Sequence, residues 1–537
     1  MRASIAAAAV ATLAFASSAL ATEYSLAPGL SQSQIQSIVA GLQPGDTLNI
    51  TAGTYDGNEL DLQSAPDHGI AGTASAPIVI QGVADPSGAL PHFIAHTDDF
   101  QEAVRVRPGC AFITIANLHL SATGSTTQAG IFVDSGVHDI TIRDNEIEHV
   151  TGIGIQMHSQ SDIHDVLMEH NHIHDTGTNT GDGGNGGQGF QAGGFTPERA
   201  TTGVFHLVFR RNLVHDIAGQ EGDCIALLYG VYASTIEDNV TYNCPRGASG
   251  QTENYGIAVD GTGPGHYANG ADNNIVRRNV VADTARDGHH NVGIYVGAGT
   301  TVENNIVLRS SQGIAARLEL DSSLPMRNVR VVNNTVYDIT NGTNDNAFSI
   351  RGCANSDSSV VVTGNVFIAV NAGAFGYRMP DPLGQMVARA NYFEGEDYAE
   401  AVPPIMNHLT DAPSALFVHP SSDLAGADFM PATGSPLVDH ADPMTAPGDD
   451  FDLAMRPAGG GPDVGAYESG SNAMHAPLAR DFKARFTTGA IGGDGGIGTD
   501  PGTMHAGCGC RTANPSRRGW LAVGCLAMIA ARRRRSQ

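Results

Sequence analysis

Charged and aromatic side chains recur at matching positions of seven short phrases in the middle of the chain. The phrases occupy residues 130–134, 154–158, 224–228, 256–260, 293–297, 313–317 and 347–351. Each holds an Ile or Phe in second place, and their last positions carry Asp134, His158, Leu228, Asp260, Gly297, Arg317 and Arg351. A row of carboxylates, imidazoles and guanidinium groups is what acid–base chemistry requires.

If the phrases are strands on successive coils spaced ~4.8 Å apart, Asp260 and Arg317 lie about 10 Å apart. Gly297 leaves a gap between them that could hold a sugar ring, with Tyr295 beside it for stacking or proton donation. We therefore predict four catalytic residues, Arg317, Asp223, Asp260 and His290. We predict four substrate-binding residues, Tyr295, Asp134, His158 and Arg351.

Two reactions fit this row of side chains. In a β-elimination, a base removes the proton α to a uronate carboxyl while cations neutralise the developing charge. In a glycoside hydrolysis, two carboxyl groups flank the bond that is cleaved. Lys483 is the only lysine, so an elimination here would use arginine, histidine or tyrosine.

Charge excludes one class of partner. The 537 residues carry a formal net charge of -26. The two ends, residues 1–21 and 508–537, hold eight basic and no acidic residues, so the remainder carries -34. A nucleic-acid binder needs a basic face, and we predict no nucleic-acid partner. Such acidity favours a neutral glycan, or an acidic one bridged by cations.

A second repeat predicts the architecture. Asparagines recur after an Arg or Glu phrase, mostly 26–31 residues apart, at Asn145, Asn171, Asn212, Asn239, Asn279, Asn305, Asn334, Asn365 and Asn391. Asparagine tolerates left-handed turn geometry and can bond the Asn of the next coil, so the repeat predicts a parallel β-solenoid with an Asn ladder. The second and fourth phrase positions would point inward, including Ile131, Val133, Met157, Leu227, Val259, Val296, Ala316 and Ile350. A propeller fits less well, because its units are nearer 40 residues.

The chain from about residue 40 to 470 resembles the right-handed parallel β-helix, or pectin lyase-like, superfamily. The phrases at 44–55 and 72–80 resemble its N-terminal cap, and Asp463-Val464-Gly465-Ala466-Tyr467-Glu468 resembles its closing phrase. The resemblance implies an all-β, right-handed, single-stranded parallel β-helix with both ends capped. We place an N-terminal cap and first coils at 22–109, the repeats at 110–395 and a C-terminal cap at 396–470.

The resemblance implies polysaccharide as the substrate. Lyases of this fold use Arg or Lys as the base and often hold Ca²⁺ with carboxylates, which implies Arg317 as base and Asp223 and Asp260 as Ca²⁺ ligands. The phrase Gly222-Asp223-Cys224-Ile225 also resembles a polygalacturonase phrase in which Asp223 matches a catalytic carboxylate. The alternative is a non-catalytic adhesin or glycan-binding solenoid. The insertions at 172–211 and 240–278 would wall the cleft.

The two ends are typical of export and sorting signals. Residues 1–21 combine Arg2, an apolar run and the Ala19-Leu20-Ala21 cleavage pattern of a signal peptide. A Gly-rich linker at 471–507 leads to Cys508-Gly509-Cys510-Arg511, an apolar run and terminal arginines. This tail, residues 508–537, resembles the myxobacterial MYXO-CTERM sorting signal. It implies a sorting protease, membrane contact through the tail and display at the cell surface.

Cysteine and histidine spacing gives two further expectations. Cys224 and Cys244 lie about one coil apart, so a disulfide between them is plausible in an exported chain. His170 and His174 have the spacing of a helical zinc pair, but their segment is predicted as strand and turn. We therefore predict a structural role for these histidines.

Overall fold

The computed structural model is a three-sided parallel β-helix, and the predicted all-β solenoid fold is confirmed. It describes residues 21–96, 102–123, 129–157, 162–177, 187–194, 203–218, 222–244, 254–260, 273–284, 291–316, 326–339, 346–350, 359–370, 375–379, 386–399 and 406–481. Each coil contributes one strand to each of three sheets in turn. Within those ranges, no helix is long and apolar enough to cross a membrane.

Each coil is taken to begin with its strand in sheet 1. Its strands are Glu23–Leu26, Thr47–Thr51, Ile78–Val83, Ala111–Ala116, His138–Arg143, Ile163–Glu169, Val204–Arg210, Thr235–Glu237, Asn274–Arg277, Thr300–Glu303, Val329–Val332, Val360–Thr363 and Met386–Arg389, with Val231–Tyr232 beside Val204–Arg210. All of them pair in parallel.

A strand of sheet 2 follows each sheet 1 strand from Thr47–Thr51 to Met386–Arg389. Its strands are Gly53–Asp56, Pro91–His96, His119–Thr123, Glu146–Glu148, His172–His174, Leu213–His215, Val240–Tyr242, Val280–Ala282, Ile306–Leu308, Thr335–Tyr337, Val366–Ile368, Asn391–Glu394 and Met406–His408.

Sheet 3 completes the coil and contains the seven phrases. Its strands are Leu60–Ala65, Glu102–Val106, Ala129–Val133, Ile153–Met157, Phe190–Ala192, Ile225–Leu227, Tyr255–Val259, Val292–Val296, Gln312–Ala316, Asn346–Ile350, Phe375–Met379 and Glu396–Ala399, with His68–Gly69 antiparallel to the first. The predicted inward positions are buried: Ile131, Val133, Met157, Leu227, Val259, Val296, Ala316 and Ile350 are at most 2% exposed.

The predicted Asn ladder runs along the turn between sheets 1 and 2. From Asn145 to Asn391, each Nδ2 donates to the Oδ1 of the next ladder Asn at 2.9–3.1 Å. The left-handed residue is the one before each Asn, for example Asp144 with φ 57° and Arg278 with φ 54°. Asparagine therefore recurs for its amide hydrogen bonds, and the predicted role of left-handed geometry belongs to its neighbour.

The Arg and Glu positions of the repeated phrase form an alternating row of charges. Arg143, Glu169, Arg210, Glu237, Arg277 and Glu303 are cross-strand neighbours on sheet 1. Arg210 pairs with Glu169 at 2.8 Å, and Arg277 pairs with Glu237 at 2.7 Å. Opposite charges on adjacent strands stabilise the stack, so this alternation is a structural feature.

The N-terminal end of the core is covered by helix α1 (Gln32–Ala40). Ser31 and Gln34 form a capping box at its start. Ile35 and Val39 are fully buried and join the solenoid core, beside Leu26 and Leu48.

The C-terminal segment, from Leu409 to Leu478, lies along the side of the solenoid. It contains helix α2 (Pro413–Leu416) and the antiparallel strands Phe417–His419 and Asp428–Pro431. Its apolar residues form a second core with the outer face of sheet 2, which includes Leu213, Val240, Ile306 and Val366. The closing phrase docks here: Gly465 N–H donates to the Gly364 carbonyl at 2.7 Å.

Candidate active site on sheet 3

The predicted register of the seven phrases is confirmed by strand pairing. Ile225 is paired with Ile257, Ile257 with Ile294, and Ile294 with Ile314. One coil was missed, because Phe190–Ala192 lies between the strands of Met157 and Ile225. Its phrase, Gly189-Phe190-Gln191-Ala192, follows the same pattern but comes directly after a glycine-rich run.

Several predicted site residues lie outside the described residues. These are Arg317, His290, His158 and Arg351, together with Cys508, Gly509 and Cys510 of the predicted sorting motif. The other four, Asp223, Asp260, Tyr295 and Asp134, are described.

The structure places Asp223 and Asp260 at opposite ends of adjacent strands. The Oδ1 atom of Asp223 accepts a hydrogen bond of 2.7 Å from the Tyr255 N–H, whereas Asp260 N–H bonds the Leu227 carbonyl. Five residues of extended strand separate these levels, or about 16 Å. Ca²⁺ ligands lie 2.3–2.6 Å from the ion, so the predicted calcium pair does not share one ion.

Tyr295 points away from the solenoid axis, as predicted, but it is only 1% exposed. Its ring stacks on Tyr255 with centroids 4.7 Å apart. Both rings belong to an apolar cluster with Ala226, Ala258 and Ala315 on the outer face of sheet 3. Tyr295 is therefore buried rather than exposed for stacking, because this stretch of the outer face is apolar.

Asp134 belongs to a charged cluster at the N-terminal end of the same face. Its Oδ2 accepts a hydrogen bond of 3.2 Å from Arg105 Nη2, and Arg105 Nη1 lies 3.7 Å from Glu102. Arg107 follows the strand that carries Arg105. It binds Asp61, one coil earlier, through two hydrogen bonds of 2.7 and 2.8 Å. A bidentate Arg–carboxylate pair is the arrangement of an ionised carboxylate held in fixed geometry.

The carboxyl group of Glu59 in this cluster has a raised pKa. Burial, then the charges of Asp61 and Glu102, raise the pKa of Glu59 to about 8, although Arg107 and Arg105 oppose the shift. Burial also raises the pKa of Glu102. The cluster therefore holds a carboxyl group, that of Glu59, whose pKa lies above neutral pH, next to the Asp61 side chain that Arg107 binds.

The carboxyl groups of the cluster are buried, and its arginine side chains are partly exposed. Glu59 and Asp61 are 5% and 6% exposed. The Arg105 and Arg107 side chains are 28% and 20% exposed, and Arg105 lies over the Phe132 ring at 5.5 Å. A bound molecule would meet the guanidinium groups first and the carboxyls below them.

A row of polar side chains continues from the cluster along sheet 3. Asp61, Arg105, Phe132, Gln156 and Gln191 are cross-strand neighbours on five successive coils. At ~4.8 Å per coil the row is about 19 Å long. Gln191 Oε1 is buried and accepts no hydrogen bond within the described part of the chain. The row ends where the apolar stretch at Ala226 begins.

Sequence reasoning missed this cluster, since it followed the seven phrases and began at residue 130. The first two coils carry the same inward alternation at Leu60-Asp61-Leu62 and Val104-Arg105-Val106. Extending the column two coils toward the N-terminus would have found Asp61 and Arg105.

A separate group on sheet 2 could hold a metal ion. Ligand atoms of Glu146, His172 and His174 lie within 4.8 Å of one another. His170, the other histidine of the predicted zinc-like spacing, sits at the left-handed turn with φ 57°. The useful pair is thus His172 and His174, which share one face of a strand.

Comparisons with known proteins concern the fold. No family model matches the chain, and no curated protein matches it. An alginate lyase from a Paenibacillus species has 18% identity and a TM-score of 0.45, over 68% of this chain and 99% of the lyase. A pectate lyase has 13% identity and a TM-score of 0.43, over 83% and 96%. A lacto-N-biosidase from Eubacterium ramulus has 15% identity and a TM-score of 0.45, over 69% and 68%.

The predicted disulfide is present. Cys224 and Cys244 are bonded, with Cα atoms 5.6 Å apart, and the bond ties the start of a sheet 3 strand to the turn after a sheet 2 strand. Cys110 is a buried free thiol, and burial raises its pKa to about 12. Cys353 lies outside the described residues.

Proposed function

We propose that the chain is a carbohydrate-active β-helix protein that hydrolyses a polysaccharide at the cluster on sheet 3. The observation that carries the proposal is the pairing of Glu59 and Asp61. Glu59 directly precedes the strand Leu60–Ala65 and Asp61 is its second residue, so extended backbone spaces their Cα atoms about 7 Å apart. Inverting glycosidases hold their two carboxyl groups about 6.5–9.5 Å apart to leave room for water.

Each residue of the cluster has a role in this reaction. Glu59, whose pKa is about 8, donates its proton to the glycosidic oxygen. Asp61, held by Arg107, activates a water molecule on the opposite side of the sugar. Arg105, Gln156 and Gln191 bind sugar hydroxyls along the polar row, and Phe132 supplies an apolar contact. The charge of -34 over residues 22–507 favours a neutral glycan.

The experiment uses the purified chain, a panel of polysaccharides, and parallel reactions with Ca²⁺ or EDTA. We expect new reducing ends without the ultraviolet band of an unsaturated uronate. Glu59→Gln should lower turnover at least ~100-fold while glycan binding remains. Glu169→Gln is the matched control, because Glu169 is a paired carboxylate on sheet 1 away from the cluster. An ultraviolet band would show elimination instead, and wild-type turnover in Glu59→Gln would overturn the assignment.

A second candidate function is glycan binding without cleavage. A groove of about 330 Å³ on the outer face of sheet 1 favours it. Polar and apolar residues line it together: Asn273, Thr301, Asn328, Arg330, Ser359, Ile275 and Val361. If the glycan binds but no product forms under any condition, this function replaces hydrolysis. Arg330→Ala would then weaken binding more than Arg105→Ala.

Export and surface display are part of the proposal. The Cys224–Cys244 disulfide supports export, because disulfides persist in oxidising compartments. Residues 1–21 would be removed, and the tail at 508–537 would be recognised by a sorting protease and contact the membrane. N-terminal sequencing of the mature protein should begin at Thr22; an intact Met1 would contradict the export proposal.

A further inference from the structure

Three potential metal ligands meet on the outer face of sheet 2. Glu146 and His172 are cross-strand neighbours on adjacent coils. His174 follows His172 by two residues, so its side chain leaves the strand on the same side. The pattern His-x-His on one strand, with a carboxylate on the next, therefore brings two imidazoles and one carboxylate together.

The distances between these groups fit a bridging ion better than a direct hydrogen bond. Glu146 Oε1 lies 3.6 Å from His174 Nε2 and 3.9 Å from His172 Nδ1. An N–H···O hydrogen bond spans 2.7–3.2 Å. Ligands held ~2.0–2.1 Å from a tetrahedral Zn²⁺ lie about 3.3 Å apart. If the Glu146 oxygen and the histidine nitrogens moved a few tenths of an ångström closer together, they would reach the spacing of Zn²⁺ ligands.

Neighbouring hydrogen bonds direct a lone pair of each imidazole toward Glu146. His174 Nδ1 bonds Asp175 Oδ2 at 3.0 Å, so Nδ1 carries the proton and Nε2 keeps its lone pair. That Nε2 is buried and makes no hydrogen bond within the described residues. Metal-binding histidines commonly donate their other ring N–H to a carboxylate in this way.

His172 is oriented through a second histidine. Its Nε2 lies 2.8 Å from Nε2 of His215, and His215 Nδ1 bonds Asp216 Oδ2 at 2.6 Å. Asp216 holds the proton of His215 on Nδ1, so His215 Nε2 accepts from His172 Nε2–H. The Nδ1 lone pair of His172 is then directed to the side where Glu146 lies.

We propose that Glu146, His172 and His174 bind a divalent first-row transition cation, represented by Zn²⁺, with an open position for water. Imidazole and carboxylate ligands suit Zn²⁺, whereas Ca²⁺ prefers six to eight oxygens. Three protein ligands plus water are the usual set of an open zinc site. The Glu146 and His172 side chains are 42% and 31% exposed, which leaves access for the fourth ligand. This site is independent of the cluster proposed for hydrolysis.

The test measures Zn²⁺ binding to the full chain by calorimetry after chelation. Free thiols are alkylated first so that Cys508 and Cys510 do not contribute. We expect one saturable site that His174→Ala abolishes and Asp175→Asn weakens about 10- to 100-fold. His164→Ala is the matched control: His164 also bonds the following residue, Asp165, at 2.7 Å, but it lies on sheet 1.

A second readout separates coordination from a folding defect. Co²⁺ in place of Zn²⁺ should give the intense visible absorption of a tetrahedral N/O site in the wild type and in His164→Ala. Glu146→Gln, which conserves side-chain size, should lose this spectrum while keeping the wild-type circular dichroism. The proposal is overturned if His174→Ala binds Zn²⁺ as the wild type does, or if Ca²⁺ competes with Zn²⁺ at equal concentration.

Discussion

At the residue scale, the ionisation of a carboxyl depends on its partner. Glu59 and Asp61 lie two positions apart and are equally buried, yet the structure provides Arg107 as a bidentate partner only for Asp61. The negative charge of Asp61 then adds to burial in raising the pKa of Glu59 to about 8. Glu59 therefore keeps its proton to a higher pH than an exposed glutamate does.

Glu59 should make stability depend on pH. Its pKa is about 8 in the folded chain and about 4.3 in an unfolded one, so the folded state binds this proton more tightly. The contribution is fully present below pH ~4.3 and is lost as pH rises through about 8. We expect the melting temperature of the wild type to fall between pH 5 and 9 more than that of Glu59→Gln. Parallel curves for the two proteins would contradict this prediction.

Individual site residues were predictable only where the periodic pattern extended to them. The inward set from Ile131 to Ile350 and the outward direction of Tyr295 follow from alternation alone. The burial of Tyr295 does not, because it depends on what covers the outer face. The raised pKa of Glu59 depends on burial by the folded chain and on the charge of Glu102, which is 43 positions away in the sequence.

At the element scale, the Asn ladder is a hydrogen-bond network that repeats on nine successive coils. Asn279 Oδ1 accepts from both the backbone N–H and Nδ2 of Asn239, while its own Nδ2 reaches Asn305 Oδ1. Asn279 is fully buried. Each ladder residue thus satisfies polar groups of the coils on both sides of it.

Removing one ladder amide should be costly. Asn279→Ala removes the acceptor of the Asn239 backbone N–H and of one Nδ2–H, while the other Nδ2–H keeps the Phe209 carbonyl; each buried donor left unpaired costs roughly 1–3 kcal/mol. We expect a loss of at least ~2 kcal/mol in the free energy of unfolding, measured by urea denaturation. Asn407→Ala is the control, since Asn407 is exposed and its side chain makes a long 3.4 Å bond to the Asn391 carbonyl. Equal midpoints for the two variants would contradict the role assigned to the ladder.

The ladder could be predicted in detail because one residue type repeats at one turn. The missed coil at Phe190–Ala192 shows where this method fails: its strand is three residues long and lies inside the stretch 172–211, which was wrongly predicted as an insertion. Metal ligands were harder to recognise, because His172 and Glu146 become neighbours only once the strand register is known.

At the whole-molecule scale, the C-terminal segment is fixed to the side of the solenoid by a buried arginine. Arg456 donates to the carbonyls of Asp463 and Gly465 at 2.7 and 2.9 Å, and it pairs with Glu468 at 3.5 Å. Its Nη2 also bonds Asn304 Oδ1 at 3.3 Å on a solenoid turn. The pair is almost completely buried, with side chains 1% and 0% exposed.

Breaking this pair should release the segment. Arg456→Met leaves the Glu468 carboxylate buried without its cation, which costs about 3–5 kcal/mol. Arg389→Met is the control: Arg389 also pairs with the segment, at Asp442, but its side chain is 55% exposed and the expected loss is below ~1 kcal/mol. Urea denaturation and limited proteolysis after residue 409 measure both effects. Proteolysis of Arg456→Met at the wild-type rate would contradict the prediction.

The closing phrase was recognised from sequence, but its docking place was not. Asn304, Asn333 and Gly364 occupy the left-handed turn position that carries Asp144 or Arg278 in other coils. Asn304 and Asn333 donate to the carbonyls of Asp449 and Asp463. The change from charged residues to amides and glycine marks the docking surface, a signal visible only after the turns are aligned.

The lateral docking of the C-terminal segment also sets an order of events in time. A solenoid coil needs only the coil before it, so winding can proceed as the chain is made. The segment from Leu409 to Leu478 needs a surface that extends from Leu213 to Ile368, and Arg456 needs turns already completed. The segment can therefore dock only on a completed β-helix. Its docking indicates that every intervening coil has formed.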